Sequence, residues 1–445
     1  MYLYDTLYLY LFLPVFMGIY ALLKPKRRPW LITAANILFI ALRGWQGLVI
    51  FAVCFSSAYF SGIAIYNRRN DLQKIKIRKT LLTLNTLLNS AAALCIIYAG
   101  RSITDPTCSA VFFGAAVIPL HAISYITDIY RGSCPAQTRI TVLASYLAFF
   151  PSAGFGPVIK YKNLNRTFDS PELSHSKAAS GIRYYVCGLS EFMLISAPLG
   201  KVWQDITSAK PEYLTGAPMW LGIVIFYVCF CTGAIGLLHM GTGTAMLMGF
   251  PIKRCYTRKF FKGSLTEHVK TFNKTLASWL YDYVYKPLTH DSIGGIIKCF
   301  AVILCCILGF TWYGCRFSVA AAGFISAVII ITENQTTDTL GKIPYALRCI
   351  ISKIIILSLT AMICLPQLGT DNAASRLFST GSGTQTNYLD YMTEISAPLL
   401  GIGALILTSI IPALIKKVGF TWFRAALPII ELVLIILCTS FMLAV

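Results

Sequence analysis

Five histidines are distributed over 445 residues, and their settings differ enough to suggest different chemistry. His239 lies in Leu237-Leu238-His239-Met240, inside an apolar run. An ionisable side chain in such a run is a functional candidate by default, and a neutral imidazole has the basicity to accept a proton from a hydroxyl near neutral pH. His121 follows Pro119 and Leu120 at an expected helix bend, where a histidine satisfied by core or cavity partners is the commoner outcome. His175 and His290 fall in polar stretches and are expected to be solvated. Glu191 and Glu431 also sit within apolar runs, where pairing with an arginine or backbone competes with lining a tunnel. No Cys/His cluster has zinc spacing, so no metal is expected. Most of the 15 cysteines lie among Leu, Ile, Val and Ala, where a thiol behaves as a small hydrophobe.

The elements that must position these groups follow from composition. Charged residues make up 13% of the chain and hydrophobic ones 56%, against about 25% charged in soluble domains. That excludes a water-soluble globular protein, a disordered chain and a coiled coil. Apolar stretches near the roughly 20 residues needed to cross a bilayer recur, at about 7–23, 31–50, 51–66, 81–99, 109–126, 181–200, 216–237, 294–312, 315–332, 345–365, 395–415 and 425–444. Two further stretches, 140–158 with Gly and Pro and 240–250 with Gly before Pro251, are expected to be re-entrant or broken, which a membrane tolerates only where protein or a water-filled cavity covers the backbone. The first run has no basic segment before it and reads as a retained span rather than a signal peptide. The expectation is an all-α polytopic integral membrane protein forming a single domain over 1–445.

The formal charge of +20, from 38 Lys+Arg against 18 Asp+Glu, fits topology rather than nucleic acid. Basic residues cluster after the first span (Lys24, Lys26, Arg27, Arg28), after the third (Arg68, Arg69, Lys74), after 140–158 (Lys160, Lys162, Arg166) and before the last (Lys416, Lys417, Arg424). The stretch from Gln367 to Ser396 holds Arg376 as its one basic residue. The positive-inside rule puts the basic loops in the cytoplasm and that stretch outside, with both termini on the outer side.

One segment departs from this pattern. Ser264-Leu265-Thr266-Glu267 is a capping-box signature. Beyond it, Leu265, Val269, Phe272, Leu276, Trp279 and Tyr283 step along one face of an amphipathic helix, with Lys270, Lys274 and Ser278 opposite. A helix lying in the membrane interface is the plain reading, with its lysines toward headgroups. Asn273 falls on the buried flank, where an amide needs a partner or a task.

The same segment, with Glu267, Trp279, Asp282, Tyr283, Tyr285, Pro287 and Leu288 in place, resembles the signature helix of the membrane-bound O-acyltransferase superfamily, which in its bacterial branch reads EFWRRWHxSLxxWxRDYVYxPL. Two further blocks are similar to the alginate O-acetyltransferase group: Pro119-Leu120 through Ser124, Tyr125, Asp128, Tyr130, Arg131 and Gly132, and Phe149-Phe150-Pro151 through Gly156, Pro157, Lys160 and Tyr161. The blocks are collinear over about residues 7–320. The resemblance also extends to the branch that transfers D-alanine to lipoteichoic acid.

The resemblance implies a multi-helix funnel, with a core at about 100–340 and peripheral spans at 1–99 and 341–445. It implies transfer of an acetyl or D-alanyl group from a cytoplasmic thioester, acyl-coenzyme A or an acyl carrier protein, to a hydroxyl on an extracytoplasmic polysaccharide or teichoic acid. The setting would be a bacterial inner membrane, with a periplasmic acyl-transfer partner and no bound cofactor. Two departures bear on catalysis. Asn273 stands where the bacterial helix has histidine, as in many eukaryotic members. Tyr313, in Gly309-Phe310-Thr311-Trp312-Tyr313-Gly314, stands where the main catalytic histidine belongs. With a pKa near 10 tyrosine is a poor base, but it can donate a hydrogen bond to an oxyanion. Expected catalytic residues are therefore Asn273, Tyr313 and His239, the last replacing the missing base where relatives carry an aspartate. His121, Trp279, Asp282 and Trp312 are expected along the substrate tunnel. Lys253, Arg254, Arg258 and Lys259 are expected on the donor face, meeting headgroups or an acidic carrier. His268 takes a phenylalanine position and is expected to point to the membrane interface. The alternative is an inactive scaffold, acyl channel or regulator on the same fold.

Overall fold

The computed structural model describes residues 2–42, 44–100, 106–208, 216–252, 255, 264–289, 294–336, 344–367, 377 and 422–444. Among these the chain is helical and contains no strand. Five helices are long and apolar enough to cross a membrane: Trp45–Asn67, Ile75–Tyr98, Met219–Leu247, Phe317–Gln335 and Leu347–Gln367. Shorter apolar helices cover Tyr8–Leu22, Ile140–Ser152, Gly295–Thr311 and Pro428–Met442. The chain is an all-α polytopic membrane protein. The stretch expected to span at 395–415, and nearly all of 368–396, lie outside the described residues.

We number the helices α1 (Leu13–Leu22), α2 (Arg28–Ala41), α3 (Trp45–Asn67), α4 (Ile75–Gly100), α5 (Pro106–Tyr130), α6 (Ile140–Leu147), α7 (Tyr161–Asp169), α8 (His175–Ser190), α9 (Ala197–Ser208) and α10 (Ala217–Leu247). After these come α11 (Leu265–Phe272), α12 (Lys274–Leu280), α13 (Lys286–Leu288), α14 (Gly295–Thr311), α15 (Phe317–Gln335), α16 (Tyr345–Cys364) and α17 (Trp422–Ala444). The expected boundary between 31–50 and 51–66 falls earlier. Gly44 takes φ 141°, a conformation that side chains disfavour, and α3 starts at Trp45.

The 140–158 stretch is broken, as expected of a re-entrant element. After α6 the chain makes a short 3₁₀ turn at Phe150–Ser152 and runs irregularly to α7. Its backbone is satisfied by side chains from other helices, as low-dielectric burial demands. Asn36 accepts from the Phe150 N–H at 2.9 Å, His121 Nε2 from the Ile159 N–H at 3.1 Å and Thr275 Oγ1 from the Val158 N–H at 3.2 Å. Within 240–250, expected to be re-entrant or broken, α10 runs unbroken to Leu247 and ends there, with Gly249 at φ 90° just beyond. Its glycines serve close packing instead. A Cβ on Gly243 would come within 2.5 Å of the Tyr185 backbone nitrogen and 2.6 Å of the Gly181 carbonyl on α8. Small residues at a helix seam let backbones approach where no hydrophobic effect drives association.

The amphipathic segment is two helices rather than one. Ser264 caps α11, its Oγ accepting from the Glu267 N–H at 3.4 Å. A second cap comes from α15: the Glu333 carboxylate accepts from the N–H groups of Leu265 and Thr266 at 3.2 and 3.1 Å. Asn273 then leaves helical geometry at φ −137° and ψ 87°, and starts α12 as its N-cap, Oδ1 accepting from the Leu276 N–H at 3.1 Å.

Candidate functional site at the break between α11 and α12

The break opens onto a cavity of about 1380 Å³, far more than a single acetyl group needs. Its wall is drawn from the re-entrant stretch, α10, α11, α12, α14, α15 and α16. The contribution of α16, through residues such as Ile356, Leu359 and Ile363, comes from a span expected at the periphery.

Asn273 and Tyr313 both border this cavity. Asn273 is buried, and three hydrogen bonds hold its amide: Nδ2 donates to the Phe155 carbonyl at 3.2 Å, while Oδ1 accepts from Thr275 Oγ1 at 2.8 Å and from the Leu276 N–H. The oxygen's two lone pairs are therefore committed to the helix start, leaving one N–H. The Tyr313 ring is boxed by Phe155, Phe230 and Phe272, with centroids at 5.3, 5.3 and 5.4 Å. Among the described residues its hydroxyl makes no hydrogen bond. A buried hydroxyl without a partner is uncommon in native proteins and calls for an explanation.

The other expected tunnel residues sit behind this wall. His121 is fully buried and both ring nitrogens are engaged, Nδ1 with the Leu147 carbonyl at 3.1 Å and Nε2 with the Ile159 N–H. Trp279 donates from Nε1 to the Leu120 carbonyl at 3.2 Å, and Trp312 is buried beside Tyr313. None of the three borders the cavity. His239 does not border it either: on α10, its Nδ1 lies 2.7 Å from Oε2 of Glu191, at the start of a π-helical turn after α8. Glu431, on α17, pairs with Arg183 at 2.9 Å, the structural pairing expected of it. His175 is exposed at the start of α8. His290 and the basic donor face of Lys253, Arg254, Arg258 and Lys259 lie outside the described residues.

His268 departs from its expected place. It lines the cavity rather than facing the membrane interface, its ring parallel to that of Phe272 at 6.4 Å and near Tyr227 of α10 at the same spacing. The apolar residues Leu265, Val269 and Phe272 of α11 border the same cavity, so the helix meets it on more than one face. Lys270 and Lys274, expected among headgroups, border it too.

Sequence reasoning also missed a polar cluster at one end of the cavity. Lys160, on the wall, donates to Ser278 Oγ at 2.5 Å and to Asp282 Oδ2 at 2.7 Å. Lys162 and Lys286 reach the same carboxylate at 3.1 and 3.2 Å. Burial works against the charged form of Asp282, but the lysine hydrogen bonds outweigh it and hold the carboxyl below the usual range. Lys160 is also shifted down, which for an ammonium disfavours the charged form, because its burial outweighs its share of one carboxylate divided among three ammonium groups. Behind them Tyr283 donates to Asp128 Oδ2 at 2.8 Å and Ser124 donates to the Tyr283 hydroxyl at 2.9 Å. The signal was present, since Lys160 and Asp282 each sit in one of the matching blocks, but nothing in the spacing joins residues 122 apart.

Comparison with known proteins bears on this arrangement. A family model described as "MBOAT, membrane-bound O-acyltransferase family" matches residues 139–365, just over half of the chain. The chain is similar to the "Probable alginate O-acetylase AlgI" of Pseudomonas fluorescens, 26% identical over 314 residues, which cover 70% of this chain and 61% of that protein. The proteins of the same description in Azotobacter vinelandii and Pseudomonas aeruginosa are each 26% identical over 333 residues, covering 71% of this chain and 65% and 62% of theirs. The matched stretch thus spans less than two thirds of these relatives. The match takes in the re-entrant stretch, α10, the α11–α12 break and the Tyr313 box. The chain belongs to the membrane-bound O-acyltransferase family.

Proposed function

We propose that the protein is an acyltransferase that moves an acyl group, acetyl or D-alanyl, from a thioester delivered on the cytoplasmic side to a hydroxyl of an envelope polysaccharide or teichoic acid. The donor would be acyl-coenzyme A or an acyl carrier protein, the location a bacterial inner membrane, and a periplasmic transfer partner would hand on the group. The observation that carries this reading is the convergence of Asn273 and Tyr313 on one large cavity within the family's matched region. The basic end of that cavity, at Lys160, belongs to a loop that the positive-inside rule assigns to the cytoplasm, where an anionic donor would arrive. The relatives' description as alginate O-acetylases favours a polysaccharide acceptor.

In this reading the Tyr313 hydroxyl, unpartnered at rest, donates to the oxyanion that forms as the acceptor oxygen attacks the acyl carbonyl. Asn273 holds the chain break that exposes the wall, and its one uncommitted N–H would be a second donor to that oxyanion. The apolar surroundings exclude water and so limit hydrolysis of the donor. The expected core at 100–340 would then be extended by α16, which completes the wall.

A second reading keeps the fold as an inactive scaffold or acyl channel. It is favoured by the aromatic box, in which Tyr313 fills space between three phenylalanines, and by the commitment of the Asn273 oxygen to helix capping. Purified protein with radiolabelled acetyl-coenzyme A and alginate oligomers separates the two. Transfer that falls in Tyr313→Phe supports the enzyme; no transfer and no donor hydrolysis, with cellular function retained in that variant, supports the scaffold.

A further inference from the structure

The family's usual histidines are absent from the cavity, so the proton carried by the acceptor hydroxyl needs another destination. The wall narrows the choice. Among the described residues bordering the cavity no aspartate or glutamate occurs, and His268 is the one histidine. The remaining ionisable groups are cations such as Lys270, Lys274 and Arg316, together with thiols and phenols. Lysine and arginine are protonated at neutral pH and have no free lone pair, and thiols and phenols ionise well above it. An imidazole is the side chain whose basicity suits the task.

The position of His268 is also fixed. It lies in the first turn of α11, whose start is clamped twice, by Ser264 and by the Glu333 carboxylate; the same carboxylate accepts from Thr266 Oγ1 at 2.6 Å. A ring carried on a clamped helix turn is held more closely than one on a loop. Phe272 bridges it to the Tyr313 box, its ring 6.4 Å from His268 and 5.4 Å from Tyr313. Elements around α11 carry further charged or titratable groups: Glu333 and Arg316 at the two ends of α15, Arg348 and Lys353 on α16, Tyr227 and Cys231 on α10, and Glu267 and Lys270 on α11 itself.

We infer that His268 is the general base of the transfer, resting on the acyltransferase reading above. The acceptor O–H gives its proton to a ring nitrogen of His268 as the oxygen forms a bond to the thioester carbonyl carbon. The oxyanion then collapses, the C–S bond breaks with its electron pair leaving on sulfur, and the His268 imidazolium returns the proton to the thiolate. One ester and one thiol result from one thioester and one alcohol, with no redox change.

The test uses the full chain in lipid nanodiscs, with radiolabelled acetyl-coenzyme A or an acetyl-phosphopantetheinyl carrier protein as donor and alginate oligomers as acceptor. His268→Gln and His268→Ala are expected to lower the transfer rate by about 100-fold or more, with KM for the donor little changed. The wild-type rate should rise from acidic to neutral pH, the residual rate of His268→Gln should not, and added imidazole should restore part of the His268→Ala rate. Wild-type turnover and pH profile in His268→Gln would overturn the role of His268 while leaving acyl transfer standing. A loss that imidazole does not restore, accompanied by a lower melting temperature, would overturn it in favour of a packing role. Neither transfer nor donor hydrolysis by the wild type would overturn the acyltransferase reading, and His268 with it.

Discussion

His239 and His268 occupy different settings, one paired in a helix seam and the other on a cavity wall. His239 lies in the seam between α8 and α10, 13% exposed at the side chain and 2.7 Å from a glutamate that is 9% exposed. Close backbone packing surrounds it: a Cβ on Gly188 would come within 2.7 Å of the His239 Cβ. His268 borders an open cavity whose described wall holds cations but no carboxylate. A polar group sealed in a low-dielectric seam must have its partner within the chain, or the fold loses stability. A group on a cavity wall also borders the space that a substrate would enter. The apolar run around His239 made it the more conspicuous candidate in the sequence, yet its depth is what required Glu191.

That contrast can be broken at graded cost. Asp282→Asn removes the carboxylate that offsets the buried Lys160 and its neighbours, so it should destabilise by roughly 3–5 kcal/mol, read as a fall in the detergent melting temperature or in the yield of folded protein. The same carboxylate predicts a pH dependence. Its folded-state pKa is depressed, so its contribution is full above the ordinary aspartate value of about 4 and is lost as pH falls through the lower folded value. Acidification below about 4 should therefore lower the wild-type melting temperature more than that of Asp282→Asn. Equal slopes would remove Asp282 from the account.

His239→Ala strands Glu191 in the seam and should cost about 1–3 kcal/mol, while the surviving folded protein transfers acyl groups at the wild-type rate. A large rate loss with unchanged melting would reverse the comparison and return His239 to the chemistry. Asn273→Ala removes the cap of α12 and should cost about 1 kcal/mol, with Asn273→Asp recovering much of the stability. Tyr313→Phe is the mildest change to the fold: deleting an unpartnered hydroxyl should leave stability within about 0.5 kcal/mol. Transfer in that variant should nonetheless fall by about 10²–10³-fold if the phenol serves the oxyanion, and unchanged transfer would confine Tyr313 to filling the box.

Much of the architecture was legible in the chain. Apolar runs of membrane length arise from the dielectric of the bilayer itself, so spans such as 81–99 and 345–365 are read one at a time. The broken character of 140–158 was equally local, since its Gly and Pro residues cannot continue a helix. The unbroken run of α10 through 240–247 was not legible, because its glycines fit both a break and a close seam, and the packing of α8 and of the 151–157 backbone against them decides. The single amphipathic helix was misjudged for a related reason. Periodicity describes a face, but the exit at Asn273 depends on the Phe155 carbonyl waiting across the fold.

The sequence by itself thus determined the membrane class and the family resemblance, because these depend on composition and local order along the chain. Tertiary structure alone decided which polar groups meet and which border the cavity. Glu191 reaches His239 across 48 residues, Asp282 reaches Lys160 across 122, and His268 of α11 lies on the cavity wall. Burial and hydrogen-bond partnership are properties of packed neighbours, and no spacing rule along one chain contains them.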